Sequence, residues 1–379
     1  MACMRILEDI KVMLGLLAVL GFFIAVCPDA LADEVPVAFP HAELIEIYGD
    51  GVAGYRDGPL SEARFNRPQG ACAYGYFDIL VADTYNHCVR LIDMRDRVVT
   101  TVLGVCGEEP QADENGITLN YPVDIECHDL NQPCAVLNAG DGSLIEFMNG
   151  NELVYRPKHE GRLVAKGALG LGIVRGSYYV CNPYDHSVWK VEGKDSATRV
   201  LGTGQPGYDD KIRDGSLSPL YSPTDILYFY QPNATSPFYL VDSGNEMIRY
   251  AYKGDEIEWI LLPWIGGGPP QYRTLEPEAG QMYDLEKPYR IVAANTDNEH
   301  FFVSNPASRK VTHFDYKRQA SVFLGEGAYG VGAQELEIPY AMAVVPVQGS
   351  NSLEFLVFDS EDRLLEYKII FKQEENPGK

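Results

Sequence analysis

His87 has the side chain and the neighbours to do chemistry. It lies between Asn86 and Cys88 in the stretch DILVADTYNHCVRL, residues 78–91. An imidazole there could bind a metal ion or act as a general base. Polar residues between two apolar runs could equally form a turn. The number of times that the stretch occurs helps to distinguish these roles, because a catalytic residue need occur only once.

Three charged residues stand at matching positions elsewhere in the chain. Asp124, Asp225 and Arg290 each lie two residues after a proline that opens an apolar segment, in PVDIE, PTDIL and PYRIV. In two further segments that position is Gly70 and Ala341. If the three charges converge, they could bind a ligand that carries both signs of charge. They could also pair with one another as an internal salt bridge, and the sequence leaves both roles open.

The stretch around His87 occurs six times, at intervals of 44 to 63 residues. The aligned copies are VADTYNHCVR (81–90), VLNAGDGSLI (136–145), VCNPYDHSVW (180–189), LVDSGNEMIR (240–249), VSNPASRKVT (303–312) and VFDSEDRLLE (357–366). The residues that align with His87 are Gly142, His186, Glu246, Arg309 and Arg363. These side chains share no chemistry, so we interpret His87 and His186 as turn residues with a backbone role.

Each copy has the pattern of a β-hairpin. Its third residue, which we call the anchor, is Asp or Asn, at positions 83, 138, 182, 242, 305 and 359. The anchor side chain can accept the backbone N–H two residues later and so form an Asx-turn. The residue three positions after the anchor is Asn or Asp in five copies and tolerates the left-handed backbone of a reversal.

Further strands surround each hairpin. An upstream strand is predicted at PQGACAYG, PVDIECHD, GALGLGIV, PTDILYFY, PYRIVAAN and PYAMAVVP, and a downstream strand at VVTTVLG, RLVAKG, ATRVLG, EWILLPWIGG and ASVFLG. The sixth unit lacks its downstream strand, which ELIEIYG at residues 43–49 can supply. Repeated four-stranded units indicate propeller blades. The sequence therefore predicts an all-β, six-bladed β-propeller whose ring is closed by the N-terminal strand.

Residues 49–93 carry a resemblance to a known family. The run GDGVAGYRDGPLSEARFNRPQGACAYGYFDILVADTYNHCVRLID resembles an NHL repeat: a Gly-rich segment, Asp-Gly, Ala-Arg-Phe-Asn-x-Pro-x-Gly, and a Val-Ala-Asp-x-x-Asn-His hairpin. The fourth unit is similar in part, at Arg213-Asp214-Gly215 and Tyr221-Ser222-Pro223. The resemblance implies a six-bladed propeller. Propellers of this kind include protein and ligand binders, RNA binders, and a few enzymes, such as peptidylglycine amidating lyase and relatives of strictosidine synthase.

The charge of the chain argues against a nucleic-acid partner. Its 379 residues carry 54 acidic and 31 basic side chains, a net charge of −23, and no basic run interrupts this excess. A polyanion would be repelled by such a chain. We therefore expect a protein or small-molecule ligand.

Metal chemistry finds little support in the sequence. A lyase-type centre needs several His ligands on zinc, but among the histidines after residue 32 only His128 lies on a predicted first strand. The Asp-rich loops GYDDKIRDG (207–215) and ADENG (112–116) could hold calcium, yet they lack EF-hand spacing. We predict no cofactor and no catalytic residue, and calcium or zinc remain alternatives.

The N-terminus has the pattern of a targeting segment. VMLGLLAVLGFFIAVC, residues 12–27, is apolar but short for a membrane span, and Ala30-Leu31-Ala32 offers small residues for cleavage. We predict a signal peptide at 1–32, a short leader at 33–40, one propeller at 41–372 and a polar tail at 373–379. The chain would then be secreted or lumenal, with no membrane span after cleavage. The alternative is an uncleaved N-terminal anchor.

Six cysteines follow the predicted cleavage site, all in the first half of the mature chain. Cys127 ends one predicted strand, Cys134 begins the next, and six residues separate them. Facing residues near the base of so short a connection lie at disulfide distance. We predict a bridge between Cys127 and Cys134, with two buried thiols as the alternative. Cys72, Cys88, Cys106 and Cys181 cannot be paired from sequence.

Two further predictions complete the sequence-based picture. Asn233-Ala234-Thr235 is the only permitted glycosylation sequon and stands in a Pro-flanked loop, so Asn233 is a candidate for a glycan. The chain is expected to act as a secreted or lumenal scaffold that binds a protein or ligand, and not as an enzyme. The alternative is a channel-based enzyme of the amidating-lyase or strictosidine-synthase type.

Overall fold

The computed structural model describes residues 40–371, except 76, 128–131, 229–236, 255–258, 267–284, 295–299, 316–317, 327, 329–331, 334–335 and 347–351. Within these residues the regular structure is β-strand, with three short 3₁₀ helices at Leu60–Glu62, Thr84–Asn86 and Ser243–Asn245. Six antiparallel sheets form the blades of a six-bladed β-propeller, as predicted. No helix in the described part of the chain is long and apolar enough to cross a membrane.

The first half of the chain supplies one closing strand and three blades. The closing strand is β1 (His41–Tyr48). Blade one holds β2 (Gly58–Pro59), β3 (Gly70–Tyr74), β4 (Asp78–Asp83), β5 (Cys88–Asp93) and β6 (Val98–Gly104); blade two holds β7 (Pro122–Glu126), β8 (Cys134–Asn138), β9 (Ser143–Met148) and β10 (Asn151–Tyr155). A separate hairpin, β11 (Lys158–His159) and β12 (Arg162–Leu163), precedes blade three, which holds β13 (Gly170–Val174), β14 (Ser177–Asn182), β15 (Ser187–Glu192) and β16 (Ser196–Leu201).

The second half supplies the other three blades. Blade four holds β17 (Pro223–Tyr228), β18 (Phe238–Asp242), β19 (Met247–Tyr252) and β20 (Ile260–Ile265); blade five holds β21 (Ile291–Ala293), β22 (His300–Asn305), β23 (Lys310–Asp315) and β24 (Ala320–Leu324). Blade six holds β25 (Pro339–Pro346), β26 (Leu353–Asp359) and β27 (Leu364–Ile370). The core lies between neighbouring blades, as where Phe65 packs edge-on against Phe358.

The N-terminal strand closes the ring, which confirms the prediction. Strand β1 pairs antiparallel with β27, from His41 opposite Ile370 to Tyr48 opposite Leu364. The buried carboxylate of Glu366 accepts a hydrogen bond from Tyr48 Oη at 2.8 Å and forms an ion pair with Arg97 Nη1 at 2.6 Å. Because Arg97 belongs to blade one, this contact also joins the last blade to the first. Closure covers an edge that would otherwise be open to other chains.

The fourth strand of blade two is not the one predicted. The outer partner of β9 is β10, and the segment RLVAKG contributes only β12, the second strand of the short hairpin β11–β12. Asn149 and Gly150, with φ of 50° and 73°, make a tight turn directly after β9. Asn-Gly is a strong hairpin signal because both residues accept positive φ. The downstream strand therefore begins earlier than the strand rhythm suggests.

The predicted left-handed residue three positions after the anchor is found in blade six, where Asp362 has a φ of 57°, but the turns of the other repeated hairpins differ from expectation. The left-handed residue is His87 in blade one and Glu246 in blade four, with φ of 56° and 54°, one position after the predicted Asn. Asn86 instead donates from Nδ2 to Asp83 at 2.8 Å and to the Gly54 carbonyl at 2.7 Å. The side chain of Asn86 thus links the turn to the preceding loop through hydrogen bonds.

The anchor residues have two kinds of partner. In blades three and six the anchor forms the predicted Asx-turn, since Asn182 accepts the Tyr184 N–H at 3.0 Å and Asp359 accepts the Glu361 N–H at 3.1 Å. In blades one and four the anchor binds the loop before the first strand. Asp83 accepts the Asn66 N–H and Asp242 the Tyr221 N–H, both at 2.8 Å. Each of these two anchors therefore positions a loop as well as a turn.

Candidate functional site

The structure brings the three predicted charged residues together at the centre of the ring. Arg290 Nη1 lies 2.9 Å from Asp124 Oδ2 and 3.4 Å from Asp225 Oδ1. Asp124 is on β7, Asp225 on β17, and Arg290 immediately precedes β21. All three residues are 4 % exposed. First strands of three blades thus deliver one buried ion cluster.

The cluster is satisfied by its own surroundings. Arg290 donates from Nε to the Gln69 carbonyl at 3.0 Å and from Nη2 to the Val123 carbonyl at 2.6 Å. Asp124 accepts the backbone N–H groups of Ile125 and Leu171, and Asp225 those of Ile226 and Ile291, at 2.8 to 3.0 Å. Each carboxylate oxygen therefore has a partner within the protein. This arrangement is that of an internal salt bridge that links five blades.

A third carboxyl group makes the centre more acidic than its one guanidinium balances. Glu126 lies two residues along β7 from Asp124 and keeps partial access to solvent. Burial among protein atoms, and then the charge of Asp124, raise the pKa of Glu126 well above its usual range. Burial also raises the pKa of Asp124 to about 7, against the opposing effect of Arg290. The centre therefore retains a proton at pH values where exposed carboxyl groups have lost theirs.

A second feature of the propeller lies on one face. The turns between second and third strands, and the connections from one blade to the next, emerge at the same end of the blades because successive strands are antiparallel. We call this end the turn face; it includes residues 49–69, 84–87, 105–121, 139–142, 183–186, 202–222 and 243–246. Seven of the nine exposed large apolar residues in the described chain lie on it: Val52, Tyr55, Tyr85, Tyr121, Tyr184, Leu217 and Tyr221.

Neighbouring side chains hold several of these tyrosines in place. His87 Nδ1 accepts the Tyr121 N–H at 3.1 Å, and its ring packs edge-on against the Tyr121 ring at 4.7 Å. Tyr121 in turn packs edge-on against Tyr85 at 5.3 Å. The guanidinium of Arg67 lies 5.4 Å from the centre of the Tyr85 ring. His87 and Arg67 therefore restrain the exposed pair of Tyr85 and Tyr121.

The same support recurs two blades further on. His186 Nδ1 accepts the Ser222 N–H at 3.1 Å, and its ring lies 5.5 Å from that of Tyr221. Burial lowers the pKa of both His87 and His186, which keeps the rings neutral so that Nδ1 can accept a hydrogen bond. These histidines are turn residues, as predicted, and they also position an exposed tyrosine of the next blade.

The sequence does contain a signal for this face. Tyr85 and Tyr184 are the second residue after their anchors, and Tyr121 and Tyr221 stand one or two residues before the proline that opens a first strand. Aromatic residues are common in strands, where they pack against neighbouring side chains, so a high tyrosine content alone does not indicate a binding face. Their repeated loop positions distinguish these four.

The six cysteines of the described residues form one pair, one cluster and one free thiol. Cys88 is bonded to Cys106, with Cα atoms 5.1 Å apart. Cys127 is in bonding contact with Cys134, the predicted partner, and also with Cys72. Because one sulfur cannot belong to two disulfides, the pairing of Cys127 stays a prediction. Cys181 is buried and unbonded.

The remaining predicted sites give little further evidence. Asn233, His128 and the N-terminal segment lie outside the described residues. In the Asp-rich loops, Asp113 accepts the N–H groups of Asn115 and Ile117 at 2.9 Å, and Asp214 accepts that of Ser216 at 3.0 Å. These aspartates act as ordinary turn residues. In the described chain, no group of three or more His, Cys, Asp or Glu residues is arranged to hold a metal ion.

Two solved structures share the fold over most of the chain. A protein of unknown function from Bacteroides thetaiotaomicron aligns with a TM-score of 0.61 at 14% identity, covering 88% of this chain and 77% of that one. An auxiliary nutrient binding protein from the same organism aligns with a TM-score of 0.58 at 12% identity, covering 87% and 76%. A streptogramin B lyase structure aligns more weakly, with a TM-score of 0.50 at 9% identity, covering 88% and 98%. Identities this low show the fold alone.

The curated relatives are longer proteins. Protein SUPPRESSOR OF QUENCHING 1, chloroplastic, from Arabidopsis thaliana is 24% identical over 300 residues, which are 73% of this chain and 27% of that protein. NHL repeat-containing protein 2 from Gallus gallus is 39% identical over 72 residues, 19% of this chain and 10% of that protein. This chain thus spans about a quarter or less of the relatives it matches. No protein-family model matches. The six blades, the repeated hairpins and the similarity of 72 residues to NHL repeat-containing protein 2 support a six-bladed propeller of the NHL-repeat type.

Proposed function

We propose that the protein is a binding scaffold that holds a protein partner on its turn face. The observation that carries this proposal is the set of exposed tyrosines on that face. Tyr184 is 80 % exposed and Tyr55 is 55 % exposed. Tyrosine is enriched at protein interfaces because its ring offers a large apolar area and its hydroxyl a hydrogen bond. Apolar groups gathered on one face of a folded domain mark an interaction site.

Pre-organisation supports the same conclusion. Tyr85 and Tyr121 contact each other, and His87 and Arg67 restrain them. A side chain already held in one orientation loses less conformational entropy when a partner covers it. The pair therefore has the character of a binding hot spot, and Tyr221 above His186 supplies a second, similar point of contact.

The contacts at the centre of the ring favour a binding role for the protein over catalysis in the channel. The carboxylates of Asp124 and Asp225 are already occupied by Arg290 and by backbone N–H groups. A ligand that entered there would have to break contacts that the protein makes with itself, at a cost typical of buried ion pairs. We therefore place the partner on the turn face and propose no catalytic residue. Lyase activity and nutrient binding are named for the structural neighbours alone, and we do not propose either for this chain.

The proposed setting is the secretory pathway, secreted or lumenal. The disulfide between Cys88 and Cys106 is of a kind that persists in oxidising compartments. The proposed signal peptide at 1–32 and the glycan at Asn233 belong to the same setting. The domain limits of 41–372 for the propeller are proposed with it. Removal of residues 1–32 in the native host, seen by N-terminal sequencing of the isolated protein, tests this part separately.

Site-directed photo-crosslinking tests the binding face. A photoreactive phenylalanine analogue replaces Tyr184 on the turn face or, as the matched control, exposed Asp195 in the turn between β15 and β16 at the opposite end of the same blade. In the native compartment we expect one partner protein to be captured from position 184 and not from 195. Adding Tyr85→Ser and Tyr121→Ser should reduce that capture. Equal capture from both faces, or capture unaffected by the serine substitutions, would refute the proposal.

A further inference from the structure

Three cysteine sulfurs meet at the boundary between blades one and two. Cys72 lies within β3, Cys127 directly follows β7, and Cys134 begins β8. The Cα atom of Cys127 is 6.1 Å from that of Cys72 and 4.4 Å from that of Cys134. Both separations fall in the range that a disulfide spans without moving the backbone. Cys127 can therefore bond to either neighbour.

We propose that Cys72, Cys127 and Cys134 form a thiol–disulfide exchange site with Cys127 as the shared sulfur. When Cys127 is bonded to Cys72, the Cys134 thiolate attacks the Cys127 sulfur, a Cys127–Cys134 bond forms, and Cys72 leaves as a thiolate that takes up a proton. The reverse step restores the first pairing. One S–S bond forms as another breaks, so no oxidant is consumed, and without an external reactant the site holds one disulfide and one thiol.

The surroundings give this thiol a route to external reactants. Cys134 lines a cleft of about 230 Å³ whose walls include Tyr74, Leu91 and Phe147. Cys127 keeps partial exposure, whereas Cys72 and Cys134 are buried, so an external reactant reaches Cys134 only through this cleft. We assign the cleft to a small molecule or peptide that carries a disulfide or thiol beside an apolar group. The Cys134 thiolate attacks such a disulfide, forms a mixed disulfide with one sulfur, and releases the other as a thiolate.

The other cysteines provide internal references. Cys88 and Cys106 are bonded to each other, and no third cysteine of the described chain shares that disulfide. Cys181 is fully buried, and burial raises the pKa of its thiol well above the usual range. A thiol that stays protonated is a poor nucleophile. Exchange is therefore expected in the three-cysteine cluster and not at Cys88, Cys106 or Cys181.

Peptide mapping tests the proposal. The folded protein is incubated in buffers of reduced and oxidised glutathione, thiols are blocked with N-ethylmaleimide at acidic pH, and the chain is cut before aspartate. This places Cys72, Cys127 and Cys134 in separate peptides, 57–77, 124–128 and 129–140. We expect both Cys72–Cys127 and Cys127–Cys134 linkages in one sample, with the third cysteine blocked or carrying glutathione. A single linkage, with the third cysteine unmodified in the folded protein, would overturn the proposal.

Two variants sharpen the result. Cys72→Ser should convert all molecules to the Cys127–Cys134 linkage, and Cys134→Ser all to Cys72–Cys127, with no thiol of the cluster left to modify. Each variant keeps one disulfide, so folding is preserved and can be checked by its unfolding midpoint. Cys181→Ser is the matched control and should leave both linkages in their wild-type ratio. If either of the first two variants keeps an unbonded Cys127, the shared-sulfur arrangement is wrong.

Discussion

The centre of the ring and its turn face use polar and aromatic groups in opposite ways. At the centre, Asp124, Asp225 and Arg290 are buried, have shifted pKa values and are bonded to the protein itself. On the turn face, tyrosines are exposed and supported by neighbours that hold them outward. The first group would attract attention as a catalytic site by its pKa values alone. A carboxyl group with a perturbed pKa therefore indicates a structural role when all of its partners lie within the protein.

The largest expected effect comes from breaking the centre. Arg290→Met removes the charge that balances Asp124 and Asp225 and leaves both carboxyl groups buried. We expect the free energy of unfolding to fall by about 3–5 kcal/mol, the range for a buried ion pair that loses one partner. Urea unfolding at neutral pH measures it.

Arg309→Met is the matched control for this variant. Arg309 pairs with Glu337 at 2.9 Å but is 61 % exposed, and a surface pair contributes at most about 1 kcal/mol. Similar small losses for the two variants would mean that the centre is hydrated like the surface, and the contrast between the two regions would fail.

A smaller effect of opposite sign is expected from Glu126→Gln. The pKa of Glu126 is raised in the folded protein, so the folded state holds a proton that the unfolded state releases at lower pH. Stability of the wild type therefore falls as the pH rises from the ordinary glutamate range towards the folded pKa. Glutamine mimics the protonated form and lacks this loss. The variant should match the wild type near pH 4 and be increasingly more stable than the wild type as the pH rises to 8.

Thermal unfolding across pH 4 to 8 measures this difference. Glu337→Gln, at the exposed ion pair with Arg309, serves as the control and should show no stabilisation that grows with pH. A Glu126→Gln variant that is less stable than the wild type at pH 8 would show that the ionised carboxylate has a favourable partner in the folded state.

The smallest expected effect concerns the support of the tyrosines. His87→Asn keeps a residue that tolerates positive φ but removes the ring that contacts Tyr121 and the acceptor of its N–H. We expect a loss of about 1 kcal/mol at pH 7.5, the value of one hydrogen bond. His159→Asn, at an exposed histidine, controls for the substitution itself.

The same variant tests the pH dependence of the turn face. Burial lowers the pKa of His87 in the folded state, so as the pH falls below about 6.5 the unfolded state takes up a proton first and the wild type loses stability. His87→Asn should lose less over that range. An equally steep loss in the variant would show that His87 does not titrate with unfolding.

Much of the fold could be predicted from the sequence because the same hairpin repeats along the chain. Six copies of one hairpin set the number of blades, and the missing strand after residue 366 pointed to β1. The fourth strand of blade two was mispredicted because the rhythm of strands outweighed the local signal of Asn149-Gly150. A short turn moved the strand forward, and the next segment became a separate hairpin.

The candidate sites could be predicted from the sequence only in part. The matched positions of Asp124, Asp225 and Arg290 predicted that these side chains converge. The two carboxylates, however, also accept the backbone N–H groups of Leu171 and Ile291, which lie on other blades. No pattern of side chains reveals such partners. The exposure of the tyrosines likewise depends on loop geometry, and the two contacts of Cys127 depend on how blade one packs against blade two.

The affinity of the captured partner for variants of each region decides between the turn face and the channel as its binding site. Isothermal titration compares the wild type, the Tyr85→Ala/Tyr121→Ala variant and Glu126→Gln at the centre, at one pH where all three are folded. We predict that the tyrosine variant binds at least about 30-fold more weakly, a loss of about 2 kcal/mol typical of a hot spot, and that the central variant binds like the wild type. Wild-type affinity in the tyrosine variant together with weakened binding in Glu126→Gln would contradict the account and place the site in the channel.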